Sequence, residues 1–527
     1  MVLDKSGISA YRLQMQGGQS SLSVAEATID ALQARMSAGS LTARELTEAY
    51  LQRIEKIDRA GPQLNAVIEI NPDGLAIADQ LDAERKAGRV RGLLHGIPIL
   101  IKDNIATADQ METTAGSLAL VGVRPLHDAH IVTRLRAAGA VILGKTNLSE
   151  WANYRSTAST SGWSGRGGQT RNPYALDRSP IGSSSGSGVA VAANLCVAAV
   201  GTETNGSIMA PASANGIVGI KPTVGLVSRT GIIPIAASQD TAGPMTRTVR
   251  DAAILLHVLT GPDPSDYATG ALPANWSLDS SRPPAPGGLE GARIGVLRGP
   301  FRFHSRMDGL LAKATAQLRE AGAELVDLSN YAGLVELGDY QADVLSYEFN
   351  QGINAYLASL GAASPMKSLA DLIAFNEEHR AEEMPFMGQE LFLRAHARGG
   401  LDEPVYREAR AACLRLARTE GIDAMMAQHK LVAIVVITAG PAWTRDPVNG
   451  NLGSGGSAGL AAIAGYPSIT VPATQVFGLP VGLSFVGRAW SEAKLLALAA
   501  DFERVTQART EPLFQPTVAF KARHRVI

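Results

Sequence analysis

Short apolar runs recur along the chain at intervals that leave room for helices, and no other feature narrows the possible folds as much. Ile97–Ile101, Ala140–Leu143, Ile294–Leu297 and Leu431–Ile437 are too short for buried helices. They also lack the strict polar alternation of a strand with one wet face, so they read as strands covered on both sides. Between the first two, Ile131–Ala138 reads as a helix. Parallel strands need a crossover of about this size. The pattern therefore predicts an α/β fold with a large mixed, mainly parallel sheet sandwiched by helices.

Charged residues make up 18% of the 527 residues, below the common value of about 25%. A long chain with few charges has little surface per unit volume, which suggests one large core and a single domain over 1–527. An apolar fraction of 46% excludes a mainly disordered chain. Lys and Arg number 48 against 49 Asp and Glu, so no basic excess exists to hold phosphates, and nucleic acid is not an expected partner. Cys196 and Cys413 make no disulfide framework and fit a reducing compartment. The first 20 residues show neither the apolar core nor the cleavage site of a secretory leader. The best apolar stretch, Val189–Val200, is interrupted by Asn194 and is too short to span a bilayer. A cytoplasmic protein with no membrane partner is expected.

Within the single domain, residues 20–60 read as N-terminal helices. Ser23 with Glu26, and Thr42 with Glu45, fit the S/T-x-x-E capping box. Residues 65–260 form the half richest in motifs. The Pro, Ser and Gly stretch 261–291 reads as a surface connection. Residues 303–428 read as a helical, lid-like layer, and 429–505 return to core strands and a helix, past a Gly/Ser loop at Asn449–Gly459.

Several pattern matches carry little chemistry. Gly139–Thr146 fits GxxxxGK[ST], but its middle residues are Ala-Val-Ile-Leu, which favour a buried strand over a phosphate-wrapping loop. Gly182–Gly186 fits GxSxG without the preceding strand that a nucleophile elbow needs. His127 and His130 read as a solvated surface pair. There is no HExxH or CxxC, so no metal site is expected.

Three segments taken together say more. In Gly96–Asn104, Lys102 follows an apolar run, where desolvation would lower its pKa and leave a neutral amine able to act as a base. In Ser179–Ser187 a Gly/Ser loop feeds an Ala/Val-rich helix, Val189–Ala193, and offers N–H donors at the helix start. In Gly201–Pro211 small residues ahead of Ser207 would let N–H groups converge as an oxyanion hole beside a nucleophilic serine.

In this order, GIPILIKDN, GAVILGKTN, SPIGSSSGSG, GTETNGSIMAPA, GIVGIKPTVGLVSR, SQDTAGPMTRTVRDAA and LPVGLSFVGRAWSEAKLL resemble the amidase signature family of serine amidohydrolases. The resemblance runs from about residue 20 to 505 and is weakest over 265–430. Ser149–Asn153 and Gly162–Tyr174 are most similar to the bacterial peptide amidases within it. The resemblance implies the amidase signature fold, a Ser–cis-Ser–Lys triad, an acyl-enzyme and no metal or organic cofactor. By position Ser207 would be the nucleophile, Ser183 the bridging serine and Lys102 the base. Ser184 and Ser185 adjoin it, and Ser185 stands where the family commonly has glycine, so a one-residue slip stays open. N–H groups near Thr204, Asn205, Gly206 and Ser207 would hold the oxyanion.

Departures from the family pattern bear on substrate. Many relatives place an arginine two or three residues after the nucleophile. Met209 and Ala210 occupy those positions here, which disfavours glutamine-like substrates and implies an apolar wall near Met209. The segment Ser156–Thr160, with Thr157, is a candidate substrate contact. The expected substrate is a small-molecule or peptide amide, most simply a C-terminal peptide amide cleaved to acid and ammonia. Alternatives are an aryl or acyl amide (anilide) hydrolase, a non-catalytic binding protein and an amidotransferase subunit.

Overall fold

The computed structural model describes residues 23–297, 306–328, 334–362, 364–450 and 455–518. The leader expectation for the first 20 residues lies outside the described residues, as do small parts of 303–428 and of Asn449–Gly459.

One eleven-stranded sheet organises the described chain. Its strands are β1 (Val67–Ile70), β2 (Pro98–Lys102), β3 (Val141–Thr146), β6 (Ala198–Glu203), β7 (Val218–Lys221), β8 (Thr241–Thr246), β9 (Arg293–Leu297), β10 (Glu324–Leu328), β11 (Ala433–Ile437), β12 (Ser468–Val476) and β13 (Leu479–Val486). A small hairpin, β4 (Trp163–Ser164) with β5 (Gly168–Gln169), stands apart. The order across the sheet is β1-β3-β2-β6-β8-β7-β12-β13-β11-β9-β10. β2, β3, β6, β8, β11 and β13 are buried at every position, so helices cover both faces, as the continuous apolar runs predict.

The sheet is mixed, but its parallel part is smaller than expected. Parallel pairing is confined to two flanks, β3-β2-β6 and β11-β9-β10. The centre, from β6 through β8, β7, β12 and β13 to β11, is antiparallel throughout. For β12 with β13 the reason is local. β12 and β13 are joined by a two-residue turn in which Phe477 and Gly478 both have positive φ, 51° and 82°, the geometry that matches strand twist in a tight hairpin. A run buried on both faces carries no sign of its direction.

Thr42 and Glu45 form the expected capping box at the start of the helix Ala43–Arg53. Ser23 and Glu26 do not. The first described helix, Ile29–Ser37, is capped by Thr28, and Glu26 has φ 52° with its N–H on Asn194 Oδ1 at 2.9 Å. That long-range partner outcompetes a local box. His130 lies 3.6 Å from Asp263 Oδ2 and is half-buried, so the pair with His127 is not a purely solvated one.

Residues 303–428 contribute the helices Arg306–Glu320, Leu334–Ser359, Leu369–Glu378, Glu390–His396 and Pro404–Leu414. They also contribute β10, a sheet-edge strand that the helical reading did not contain. A buried clamp ties this layer to the motif-rich half. Arg155 Nη1 lies 3.0 Å from Glu150 Oε1 and donates to Glu383 O, and the Ser117 hydroxyl donates to Glu383 Oε1 at 3.0 Å. Burial drives the Glu150 carboxyl well above its ordinary range.

The helix Ser185–Ala192 is buried along its whole length and packs on β6, β2 and β3. Its second residue allows the approach. Gly186 N donates to Asn147 O at 2.9 Å, and a Cβ there would meet Ala66 O at 2.3 Å and Asn147 O at 2.5 Å. These neighbours are backbone atoms that cannot swing aside. Gly186→Ala is therefore expected to destabilise the protein by about 3 kcal/mol or more, measured by denaturant unfolding.

Candidate active site

β2 and β6 run side by side in parallel, with Ile101 opposite Val200. This register brings the last residue of β2, Lys102, beside Thr202 on β6. Lys102 is 0% exposed. Its Nζ lies 2.7 Å from Ser183 Oγ, 2.9 Å from Thr202 Oγ1 and 3.3 Å from Thr202 O. Asn104 Nδ2 donates to the same threonine hydroxyl at 3.0 Å. Burial pushes the Lys102 amine down to about 7, although Glu203 and Asp240 act to raise it.

Ser183 sits on the loop between the small hairpin and the helix Ser185–Ala192, and the Gly182–Ser183 peptide bond is cis. Its neighbours turn to other partners. Ser184 Oγ donates to Thr202 O at 3.0 Å, and Ser185 Oγ donates to Ile181 O at 2.6 Å. Of the three serines in the run, Ser183 is the one whose hydroxyl meets Lys102. The loop can lie this close to β6 because position 201 is glycine, where a Cβ would be 2.8 Å from Ser184 Oγ.

Ser207 follows β6 on the turn into the helix Met209–Ala214 and is 9% exposed. Ser184 N donates to Ser207 O at 3.0 Å, which joins the two serine loops through their backbones. The Ser207 hydroxyl has no hydrogen-bond partner among the described residues. The N–H groups of Ile208 and Met209 are taken by Glu203 Oε2 at 2.8 and 3.0 Å. No described residue accepts from the N–H of Thr204, Asn205, Gly206 or Ser207. Four consecutive free donors beside a serine suit a developing negative charge. Gly206 has φ 81°, which glycine adopts without steric cost.

Lysine burial alone does not mark the site. Lys145 and Lys221 are also fully buried and pushed down to about 8 by desolvation. Lys145 Nζ donates to Ile105 O at 2.6 Å and Lys221 Nζ to Pro222 O at 2.9 Å, and no hydrogen bond joins either amine to a serine among the described residues. Lys145 belongs to the Gly139–Thr146 segment, most of which forms β3, so that segment has no phosphate loop.

The remaining candidates divide. Thr204 donates its hydroxyl to Asp240 Oδ1, and burial pushes the Asp240 carboxyl up to about 6. Asn205 Nδ2 donates to Gln341 Oε1 at 3.0 Å. Met209 is buried at the helix start. Thr157 is exposed, and its N–H meets Glu390 Oε2 at 3.3 Å, so it contacts the helical layer and is not drawn to the serine loops. An open cavity of about 240 Å³ adjoins the loops, lined among others by Asn104, Thr202, Thr204, Ile233, Ile235 and Asp240. Thr202, Asn104, Glu203 and Asp240 escaped the motif reading. Thr202 and Glu203 lie inside the quoted GTETNGS, and pairing the ends of the two strands would have placed Thr202 beside Lys102.

Residues 45–496 match the family described as Amidase. The chain belongs to the amidase family. This amidase is 42% identical over 510 residues to a probable amidase of Arabidopsis thaliana, covering 94% of this chain and 93% of that protein. It is 52% identical to the solved native peptide amidase of Stenotrophomonas maltophilia, with a TM-score of 0.88, covering 93% of this chain and 98% of that one. It is 35% identical to a solved amidase family protein of Bacillus anthracis, with a TM-score of 0.84, covering 97% of this chain and 98% of that one. The α/β architecture and the amidase activity class are thus those expected from the signature segments.

Any step that needs the neutral Lys102 amine rises with pH through about 7 and levels above it, because the ammonium predominates below that value. Thr202→Val removes an acceptor that favours the charged amine. The acid limb of the pH profile of amide turnover is expected to move down by about one unit. An unmoved limb would separate this lysine from the titration.

Proposed function

We propose that this amidase hydrolyses C-terminal amides of peptides, or N-acyl amino acid amides, to the free acid and ammonia through an acyl-enzyme on Ser207. The observation that carries the reading is the buried, neutral-leaning Lys102 amine 2.7 Å from Ser183 Oγ. The unpaired N–H groups of Thr204–Ser207 beside the second serine support it.

A free serine hydroxyl is a weak nucleophile and needs a base. Neutral Lys102 has two hydrogens and one lone pair. Its hydrogens suit the two Thr202 oxygens, which leaves the lone pair for the Ser183 hydroxyl proton. As Ser183 gives up that proton it takes one from Ser207, whose oxygen attacks the amide carbonyl. The carbonyl oxygen gains negative charge among the free N–H groups. The relay then runs backward, and Ser183 hands a proton to the departing amine nitrogen. Water enters and is deprotonated by the same relay, and the ester is hydrolysed.

Three observations favour a neutral, peptide-like acyl group. The cavity wall includes Ile232, Ile233, Pro234 and Ile235. Arg229, also on that wall, is held by Asp266, with Nε to Oδ2 at 2.8 Å, and is not free for a substrate carboxylate. Met209 and Ala210 add no cation after Ser207. Glutamine-like substrates of an amidotransferase are accordingly disfavoured.

The test compares an N-acylated dipeptide amide with the anilide of the same acyl group. Ammonia release from the first, with little aniline from the second, is expected. Preferential aniline release would reassign the enzyme to aryl amides. Ser207→Ala should lower turnover by at least about a thousandfold while leaving the unfolding transition in place. Near-normal turnover in that variant would refute the nucleophile assignment.

A further inference from the structure

Three side-chain amides connect the oxyanion loop to the helical layer. Gln239 Nε2 donates to Thr204 O at 3.1 Å. Gln341 Nε2 donates to Gln239 Oε1 at 3.3 Å, and Asn205 Nδ2 donates to Gln341 Oε1 at 3.0 Å. Gln239 and Gln341 are 1% and 9% exposed, so water cannot readily replace these bonds.

The direction of this chain is forced. A backbone carbonyl only accepts, so Gln239 must turn its NH₂ to Thr204 and its oxygen away. Gln341 must then offer NH₂ to that oxygen and its own oxygen to Asn205. Asn205 must in turn present its NH₂. One carbonyl fixes three amides, and the chain begins and ends on consecutive residues, closing a ring at Thr204–Asn205. The far end of the loop is held by Glu203, which takes the N–H groups of Ile208 and Met209. The four free donors lie between these anchors. Gln341 belongs to the helix Leu334–Ser359, in the segment where family motifs are weakest.

We propose that Gln341 is a positioning residue. Through Asn205 and Gln239 it holds the Thr204–Ser207 loop in the conformation that receives the oxyanion, so the helical layer takes part in catalysis as well as covering the site. This rests on the hydrolase reading above. Preorganised donors act mainly on the transition state. Loss of Gln341 should therefore lower kcat and leave substrate binding almost unchanged.

The experiment uses the full chain and the dipeptide amide. It measures kcat, KM, inhibition by a peptide aldehyde that forms a hemiacetal with the serine, and substrate affinity in a Ser207→Ala background. Gln341→Leu is expected to lower kcat and aldehyde affinity by about tenfold each, with KM and substrate affinity within about twofold of normal. Gln341→Glu supplies a second readout should the leucine variant fold poorly. Its carboxylic acid can donate to Gln239 and accept from Asn205, as the amide does. Its carboxylate can only accept. Activity relative to the unsubstituted enzyme at the same pH should fall as pH rises through that carboxyl's pKa.

An unchanged kcat in Gln341→Leu would overturn the proposal. So would equal losses in kcat and in ground-state affinity, or a pH-independent activity ratio in Gln341→Glu. A silent unsubstituted chain with Ser207→Ala equally silent would instead overturn the hydrolase reading, and this inference with it.

Discussion

An amine held out of water governs the candidate site. Desolvation draws Lys102 toward neutrality, while Glu203 and Asp240 pull the other way and do not prevail. Neither carboxylate is hydrogen-bonded to the amine. Glu203 spends one oxygen on the N–H groups of Ile208 and Met209, and Asp240 spends both on the Thr204 hydroxyl and the Ile235 and Ala236 N–H groups. The atoms hydrogen-bonded to Lys102 Nζ are neutral oxygens. A carboxylate in direct contact would favour the ammonium and oppose the proposed role as base. The fold thus keeps two acids near the lysine without a hydrogen bond from either to its amine.

The same economy of contacts explains how the helical layer reaches the centre. One tie, Arg155 with Glu150 and Glu383, joins it to the segment that follows β3. Its uncharged tie, through Gln341, ends on the oxyanion loop. The amide orients Asn205 without adding a net charge, and the Glu203 side chain holds the next turn through the N–H groups of Ile208 and Met209.

Much of this was legible in the chain itself. The apolar runs at Ile97–Ile101 and Ala140–Leu143 fall on β2 and β3, and the three Gly/Ser/Lys segments converge because β2 and β6 are neighbours. Between Ser183, Ser184 and Ser185 the letters could not choose, since the difference lies in which hydroxyl faces an amine and which faces a backbone carbonyl. The antiparallel centre was hidden because β12 and β13 are buried on both faces over most of their length, which leaves no mark of strand direction. Gln341 was beyond reach for another reason: it meets Asn205 across 136 residues of chain, from a segment with no motif to mark it. Periodicity and motifs report local order, and contacts made across the whole fold leave no such trace.

The placement of β12 sets an order of events during synthesis. β7 pairs with β8 on one side and with β12 on the other, and β12 is made only at Ser468–Val476. A growing chain that already carries Lys102, Ser183 and Ser207 therefore has an open row of backbone donors and acceptors along β7, a site for wrong pairing until its partner emerges. Ala458, which packs close to Gly206, also comes from this late stretch. Ala458 and β12 both follow Lys102, Ser183 and Ser207 along the chain, so a fragment that stops before them would keep those three side chains and lack the strand that pairs with β7.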